Sequence, residues 1–278
     1  MRQKPKRSVL RYHGGKWRLA PWIISHFPEH KIYVEPFCGA ASVLLRKPRV
    51  DNEIINDLDG DVINLFRVLR DPEDSQQLQG LLFLTPFARE EYTESFAFSA
   101  EPVERARQLI VKSFMGFGGD AIYKEKNRGY FRDRRKGSSP PCKDWATYPE
   151  EIRLFCERLR GVTIEHRDAK EVMWHYDSED TLFYVDPPYL LNTRTHGRAY
   201  QFEMTVEEHV ELASFLSQCK GMIVISGYPS ELYEHLYSSW DVVSRNAIGE
   251  KASRKVECLW ISPRASRAMR QKSLGVAI

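Results

Sequence analysis

The chain has 278 residues, 42% of them hydrophobic and 12% aromatic, which is enough for a large core and too apolar for disorder to be the default. A net charge of +3 with a pI near 8.5 says little about partners. No apolar stretch approaches the ~20 residues that span a bilayer, and the basic start MRQKPKRSVLRYHGGK lacks the apolar centre of a secretory signal, so a cytoplasmic location with no membrane partner is expected. The cysteines, Cys38, Cys142, Cys156, Cys219 and Cys258, are far apart with no CxxC pair. That argues against a disulfide framework and a zinc site and predicts reduced, mostly core thiols.

In chain order, strands are predicted at 31–37 (KIYVEPF) and 53–57 (EIIND), with helical patterns after Gly39 (AASVLLRK) and after Asp57 (LDGDVINLFRVLRD). The strand rhythm breaks between about residues 70 and 160. Helix-like segments at 101–115 and 149–160 enclose glycine-rich GFGGD (116–120), a basic stretch and loop-like KGSSPP (136–141). Strands resume at 162–168 (VTIEHRD), 182–186 (LFYVD), 221–227 (GMIVISG), 240–246 (WDVVSRN) and 256–262 (VECLWIS). Residues 205–219 begin with a capping box, Thr205 and Glu208, and place Leu212, Phe215, Leu216 and Cys219 on one helix face. β-helix-β alternation predicts a mostly parallel sheet with helices on both faces, and the last two strands look like a closing hairpin around 247–255. The segment between 71 and 159 reads as an inserted subdomain.

Ligands of open parallel sheets bind outside the carboxyl ends of the strands. Glu35, Asp57 and Asp186 each end an apolar run, and Asp168 closes a fourth. A carboxylate after the second strand suits the two hydroxyls of a ribose, although no GxGxxG cradle is present. Any one strand-end acid is more often a helix N-cap, but four in one chain favour a nucleoside-containing cofactor.

Asp186, Pro187, Pro188 and Tyr189 end the run LFYVDPPY. Consecutive prolines fix φ and stop a strand. A carboxylate oxygen beside a rigid backbone carbonyl makes a pair of acceptors that matches the two hydrogens of an exocyclic amino group, on a base or an amide. Accepting both draws the nitrogen lone pair out of conjugation and makes it more nucleophilic towards an electrophilic methyl. Tyr189 offers a ring face for stacking on a planar substrate. A strand-terminating turn accounts equally well for the bare tetrapeptide.

Four segments in order carry a family resemblance. RYHGGKWRLA (11–20) resembles a W-x-GGK cofactor motif, and YVEPFCGAASV (33–43) resembles VEPFxGxGSV with Ala41 at the usual second glycine. NDLDGDVINLF (56–66) resembles ADxNxDLI, and FYVDPPY carries a D-P-P-Y motif. Over nearly its whole length the chain resembles the Dam-type family (D12 class, alpha group) of DNA adenine-N6 methyltransferases, which use S-adenosylmethionine. The resemblance implies a Rossmann-like α/β fold with a mostly parallel seven-stranded sheet. It divides the chain into a cofactor-binding catalytic domain (1–70 and 160–278) and an inserted, mainly helical DNA-recognition subdomain (71–159).

The resemblance also implies roles. Tyr12, Gly14, Gly15 and Lys16 hold the methionine end of the cofactor and close over it, with Glu35, Phe37 and Gly39 forming the methionine and backbone-approach region. Asp57 takes the ribose hydroxyls, and Asp168 with Ala169 flanks the cofactor adenine, without the aromatic that family members often carry there. Asp186 borders the cofactor and, with Pro187, accepts from the target amino group, while Pro188 stiffens the corner and Tyr189 stacks on the base. Segments 225–233 and 255–263 resemble later family positions that shape the target pocket. The product is S-adenosylhomocysteine and no metal is needed. The partner is double-stranded DNA, bound by a monomer or by a dimer on DNA, and the adenine must flip out of the duplex to be reached. Methylation of RNA or of protein glutamine, or an inactive DNA-binding homologue, are the alternatives. An asparagine heads the related corner that serves glutamine, so Asp186 argues against that reading.

Between residues 124 and 136 stand Lys124, Lys126, Arg128, Arg132, Arg134, Arg135 and Lys136, interleaved with Tyr130 and Phe131 and preceded by Tyr123. On composition alone a solvated charged loop is the commoner reading. Where the resembling family carries its recognition region, phosphate binding is the expectation. Arg194 and His196 are either contacts to DNA near the flipped base or parts of a loop with no chemical role.

Overall fold

The computed structural model describes residues 4–116, 118, 121–123, 130, 140–194, 200–248 and 254–275. In chain order these form α1 (Ala20–Ile24), β1 (Ile32–Glu35), α2 (Ser42–Arg46), β2 (Asn52–Asn56), α3 (Gly60–Arg70), α4 (Pro72–Leu84), α5 (Arg89–Glu94) and α6 (Pro102–Met115). There follow α7 (Pro141–Ala146), α8 (Ile152–Leu159), β3 (Val162–Glu165), α9 (Ala169–His175), β4 (Thr181–Val185), α10 (Val206–Gln218), β5 (Met222–Gly227), α11 (Glu231–Leu236), β6 (Asp241–Ile248), β7 (Arg254–Ile261) and α12 (Pro263–Gly275). The seven strands form one sheet in the order β3-β2-β1-β4-β5-β7-β6. β1 runs parallel to β2 and β4, and β4 parallel to β5, while β7 is antiparallel to both β5 and β6. The fold is thus α/β and mostly parallel, with the closing hairpin as expected.

Two compact units divide the chain. One comprises Arg18–Cys38, Lys47–Leu58 and Glu165–Ile278. Its core lies on one face of the sheet, where Val34, Phe183, Val185, Ile223, Ile225 and Trp260 pack with Val172, Leu212, Leu216 and Tyr233. Period-2 alternation sends the intervening side chains to the opposite face. There Tyr33 and Tyr184 meet the ring of Phe27 at 5.8 and 5.7 Å, and Tyr33 donates to Glu35 at 2.5 Å. The capping box of α10 forms as predicted, Thr205 accepting from the Glu208 amide at 3.2 Å and Glu208 from the Thr205 amide at 2.7 Å. Leu212, Leu216 and Cys219 are buried and Phe215 packs partly against them. His209, on the same helix, is buried as well, which the apolar pattern did not indicate.

The other unit comprises Met1–Trp17, Gly39–Arg46 and Asp59–Ile164. Asp59 caps α3, whose Val62, Ile63, Leu65 and Phe66 are buried, and Asp71 both ends α3 and caps α4 ahead of Pro72. The predicted helix at 101–115 is α6, and 149–160 becomes a 3-10 turn leading into α8. Two findings depart from the sequence reading. Residues 72–94, read only as a break in strand rhythm, form α4 and α5, and Pro141, placed at the end of a loop, starts α7. Proline at the first helical position lacks only an amide that the helix leaves unpaired anyway. An aromatic cluster closes this core: Phe114 lies 4.5 Å from Tyr148, the Trp145 indole donates to the Thr85 carbonyl at 2.7 Å, and Tyr148 donates to the Val9 carbonyl at 2.6 Å.

The cysteines are free: Cys38, Cys219 and Cys258 are buried, Cys156 is half-buried and Cys142 is exposed, a departure from the core expectation for that one. Among the described residues no helix is long and apolar enough to cross a membrane.

Candidate active site

The predicted acids follow the carboxyl ends of strands. Glu35 is the last residue of β1, Asp57 follows β2, Asp168 follows β3 and Asp186 follows β4. Each sits where the chain leaves the sheet and backbone groups turn outward. The side chain that joins three of these exits is Asn56, fully buried at the end of β2. Its amide donates to the carbonyls of Pro36 at 2.9 Å and Arg167 at 3.0 Å, and its oxygen accepts from the Arg167 amide at 2.9 Å. The Cys38 amide donates to the Asn56 carbonyl at 2.8 Å. One side chain therefore sets the loops that carry Phe37, Asp57 and Asp168.

These acids are not equivalent. Glu35 is buried and accepts from Tyr33, whose phenol burial holds protonated well above its usual range. Asp57 is half-buried. Asp168 is exposed and caps α9, accepting from the amides of Lys170 at 2.8 Å and Glu171 at 3.4 Å, which is the ordinary fate of a strand-end acid. Ala169 beside it is buried.

Asp186 leads the stiff corner. Ser226, opposite it on β5, donates to Asp186 Oδ1 at 2.7 Å and in turn takes a hydrogen bond from Tyr184 at 3.1 Å. Burial, with the Asp186 carboxylate next, keeps the Tyr184 phenol protonated, so the chain of donors runs from Tyr184 through Ser226 to Asp186. Pro187 is buried and Pro188 half-buried. His209 stands beside the Pro188 carbonyl and shares a hydrogen bond at Nδ1 with the Tyr233 hydroxyl at 3.0 Å. Tyr189 is buried, with its hydroxyl donating to Glu257 and its ring met edge-on by Tyr228 at 4.7 Å.

Arg194 corrects a sequence expectation. Its side chain is only 3% exposed, pairs with Glu203 at 2.8 Å, donates to the Tyr189 carbonyl and lies over the ring of Tyr200. It braces the corner from inside rather than reaching outward to DNA. His196 lies outside the described residues.

In the other unit, residues 12–16 form a tight turn: the Gly15 amide donates to the Tyr12 carbonyl at 3.0 Å, and Gly14 has φ +68°. Lys16 is buried and donates to the Gly14 carbonyl at 2.8 Å. Gly39 has φ +46°, and a Cβ there would stand 2.9 Å from the Tyr12 ring, so only glycine lets the backbone pass that ring. Tyr12 also shares a hydrogen bond with Tyr123 at 2.8 Å, and Tyr123 donates to the Asp59 carboxylate that caps α3.

Of the aromatics interleaved with the basic stretch, Tyr123 is thus turned inward. Tyr130 packs against Phe87 and Tyr92 at 5.7 and 5.9 Å, with Arg89 over its ring. Lys124, Lys126, Arg128, Arg132, Arg134, Arg135, Lys136 and Phe131 lie outside the described residues.

Sequence reasoning missed Asn56, Asp59, Ser226, His209 and Glu257. Glu257 had a signal, a lone acid inside the apolar run VECLWI, and Asp59 stood in a helix-starting position. Asn56 and Ser226 are ordinary strand residues whose partners are distant in sequence.

The model of the family described as D12 class N6 adenine-specific DNA methyltransferase matches residues 12–254. The chain is similar to the DNA adenine methylase of Haemophilus influenzae, 27% identical over 254 residues that cover 84% of this chain and 85% of that protein. It is also similar to the DNA adenine methylase of Serratia marcescens, 27% identical over 277 residues, 92% of this chain and 99% of that one. The Vibrio cholerae DNA adenine methylase is 25% identical over 285 residues, 95% of this chain and the full length of the other. With the family pattern running from the turn at Tyr12 to the first residue of β7, the chain belongs to the D12 class of N6 adenine-specific DNA methyltransferases.

Proposed function

We propose that this enzyme methylates the N6 amino group of an adenine flipped out of duplex DNA, with S-adenosylmethionine as methyl donor. The observation that carries the reading is the Asp186 carboxylate held through Ser226 at the head of a proline-stiffened corner. Asp186 and the Pro187 carbonyl accept the two hydrogens of the amino group, which frees its lone pair for attack. Tyr189 stacks on the base. Positive charge that reaches the nitrogen is met by Asp186 before a proton leaves, so no strong general base is required, and catalysis comes from position and electrostatics.

The residues fit the cofactor. Its sulfonium supplies an electrophilic methyl and its ribose two hydroxyls. Half-buried Asp57 presents a carboxylate suited to those hydroxyls, and buried Glu35 a carboxylate suited to the cationic amino-acid end. Asp168 keeps one oxygen on its own helix cap, so it serves the cofactor adenine chiefly by placing buried Ala169.

Labelled methyl donor, mixed with unmethylated plasmid DNA, RNA and protein, tests the reading. Label recovered as N6-methyladenine in duplex DNA is the expected result, and label confined to protein or RNA overturns it. Sequencing the methylated positions then identifies the target.

A further inference from the structure

Glu257 is a buried acid to which the roles above give no task. It stands on β7 inside an apolar run and is 3% exposed. Leu259 lies opposite Ser226 in the antiparallel pair, and two residues earlier the same face of β7 presents Glu257. β7 therefore delivers a carboxylate to the polar face at the carboxyl ends of β4 and β5, where Asp186 and Ser226 stand. There Tyr189 donates its hydroxyl to Glu257 Oε1. Burial, with the Asp186 and Glu257 carboxylates adding to it, holds that phenol protonated, which fixes Tyr189 as donor and Glu257 as acceptor. Tyr189 is held at its carbonyl by Arg194 and at its hydroxyl by Glu257. A carboxylate is costly to bury, and this one accepts a hydrogen bond from the ring that the proposed chemistry needs.

We propose that Glu257 is a positioning residue for methyl transfer: by holding the Tyr189 hydroxyl it fixes the plane of the ring on which the flipped adenine lies, and so places the amino group at Asp186 and the Pro187 carbonyl. This rests on the adenine reading above. A stacked base follows the pitch of its platform, so a ring free to tilt moves the reacting nitrogen out of line with the methyl. The rate of the chemical step depends steeply on such alignment, whereas the affinity for the methyl donor does not.

Single-turnover transfer of labelled methyl to unmethylated plasmid DNA tests this, together with titration of the donor. Glu257→Ala is expected to slow the step about tenfold or more while donor affinity stays within about twofold. Glu257→Gln, which keeps an acceptor of the same shape, should remain within about threefold of wild type, and Tyr189→Phe should be as slow as Glu257→Ala. In the Tyr189→Phe background, Glu257→Ala should cause no further loss, since both changes cut the same tether. A Glu257→Ala protein at the wild-type rate, losses that multiply in the double variant, or Glu257→Gln as slow as Glu257→Ala overturns the assignment. Should Glu257→Ala fail to fold, Glu257→Gln and Tyr189→Phe decide: the first near wild type and the second slow supports it, and any other result overturns it. A wild-type protein that labels no adenine overturns the adenine reading as well, while an active wild type beside an unaffected Glu257→Ala overturns only the role of Glu257.

Discussion

Asp186 and Ser226 show how a single residue becomes chemically useful through its neighbour. An unfixed carboxylate samples several rotamers, but one whose Oδ1 takes a serine hydroxyl at 2.7 Å presents its remaining acceptor positions in one orientation. Asp186→Ala removes both the acceptor and the charge. It is expected to abolish methyl transfer while folding and donor binding persist, as measured by labelled transfer, circular dichroism and donor titration. Turnover at the wild-type level would remove Asp186 from the mechanism. His209 carries a different consequence. Burial lowers its pKa to about 4, so it folds neutral while the unfolded chain begins to bind a proton below its ordinary value of 6.5. Stability is therefore full above that value and falls with decreasing pH until about 4. The loss reaches about 2 kcal/mol near pH 5 and about 3 kcal/mol when complete. Urea unfolding at pH 7.5 and pH 5 should show a smaller difference in His209→Gln than in wild type. His30, whose pKa burial also lowers, leaves a residual slope of the same sign.

At the scale of elements, the turn after β1 is where sequence and geometry press against each other. Gly39 and Ala41 both have positive φ, +46° and +45°, and Ala41 is fully buried where the resembling motif carries glycine. A left-handed alanine costs about 1–2 kcal/mol. Replacement by glycine relieves that strain but costs about 0.5–1 kcal/mol in unfolded-state entropy and about 0.8 kcal/mol for the buried methyl. Ala41→Gly should then stay within about 1 kcal/mol of wild type in urea, while Ala41→Val, β-branched and left-handed in a packed turn, loses more than about 2 kcal/mol. Equal stability of the two variants would show that the turn rebuilds. Element boundaries were readable to within a residue or two where periodicity and caps agreed, as in α10 with Thr205 and Glu208. α4 was missed because its exposed Phe83 and Leu84 blur the apolar stripe, leaving only Leu78 and Leu82 buried.

For the molecule as a whole, binding to DNA is governed by charge, and the net +3 is too small to act without local concentration. Arg132, Arg134 and Arg135 fall within the densest basic stretch. Neutralising all three should weaken binding to duplexes of any sequence. It should reduce the slope of log affinity against log salt by up to about 3, close to one unit for each phosphate that an arginine would otherwise neutralise. A slope equal to wild type would take that stretch off the phosphate backbone. Tyr123 and Tyr130, which composition alone groups with these cations, spend their rings and hydroxyls on internal contacts.

From the sequence alone came the α/β class, the order of the strands along the chain, the acids at strand ends and the abrupt proline corner. All of these are local: periodicity, turn chemistry and motif order are written in neighbouring residues. Only the folded chain decided which acid does what. Asp168 caps its own helix, Asp59 rather than Asp57 caps α3, and Asn56 ties together three loops. Arg194 turns inward on Tyr189, and Glu257 reaches the same tyrosine from an antiparallel strand 68 residues away in sequence. The physical reason is that a hydrogen bond depends on distance and direction in space, and strand order brings together residues that the linear chain keeps apart.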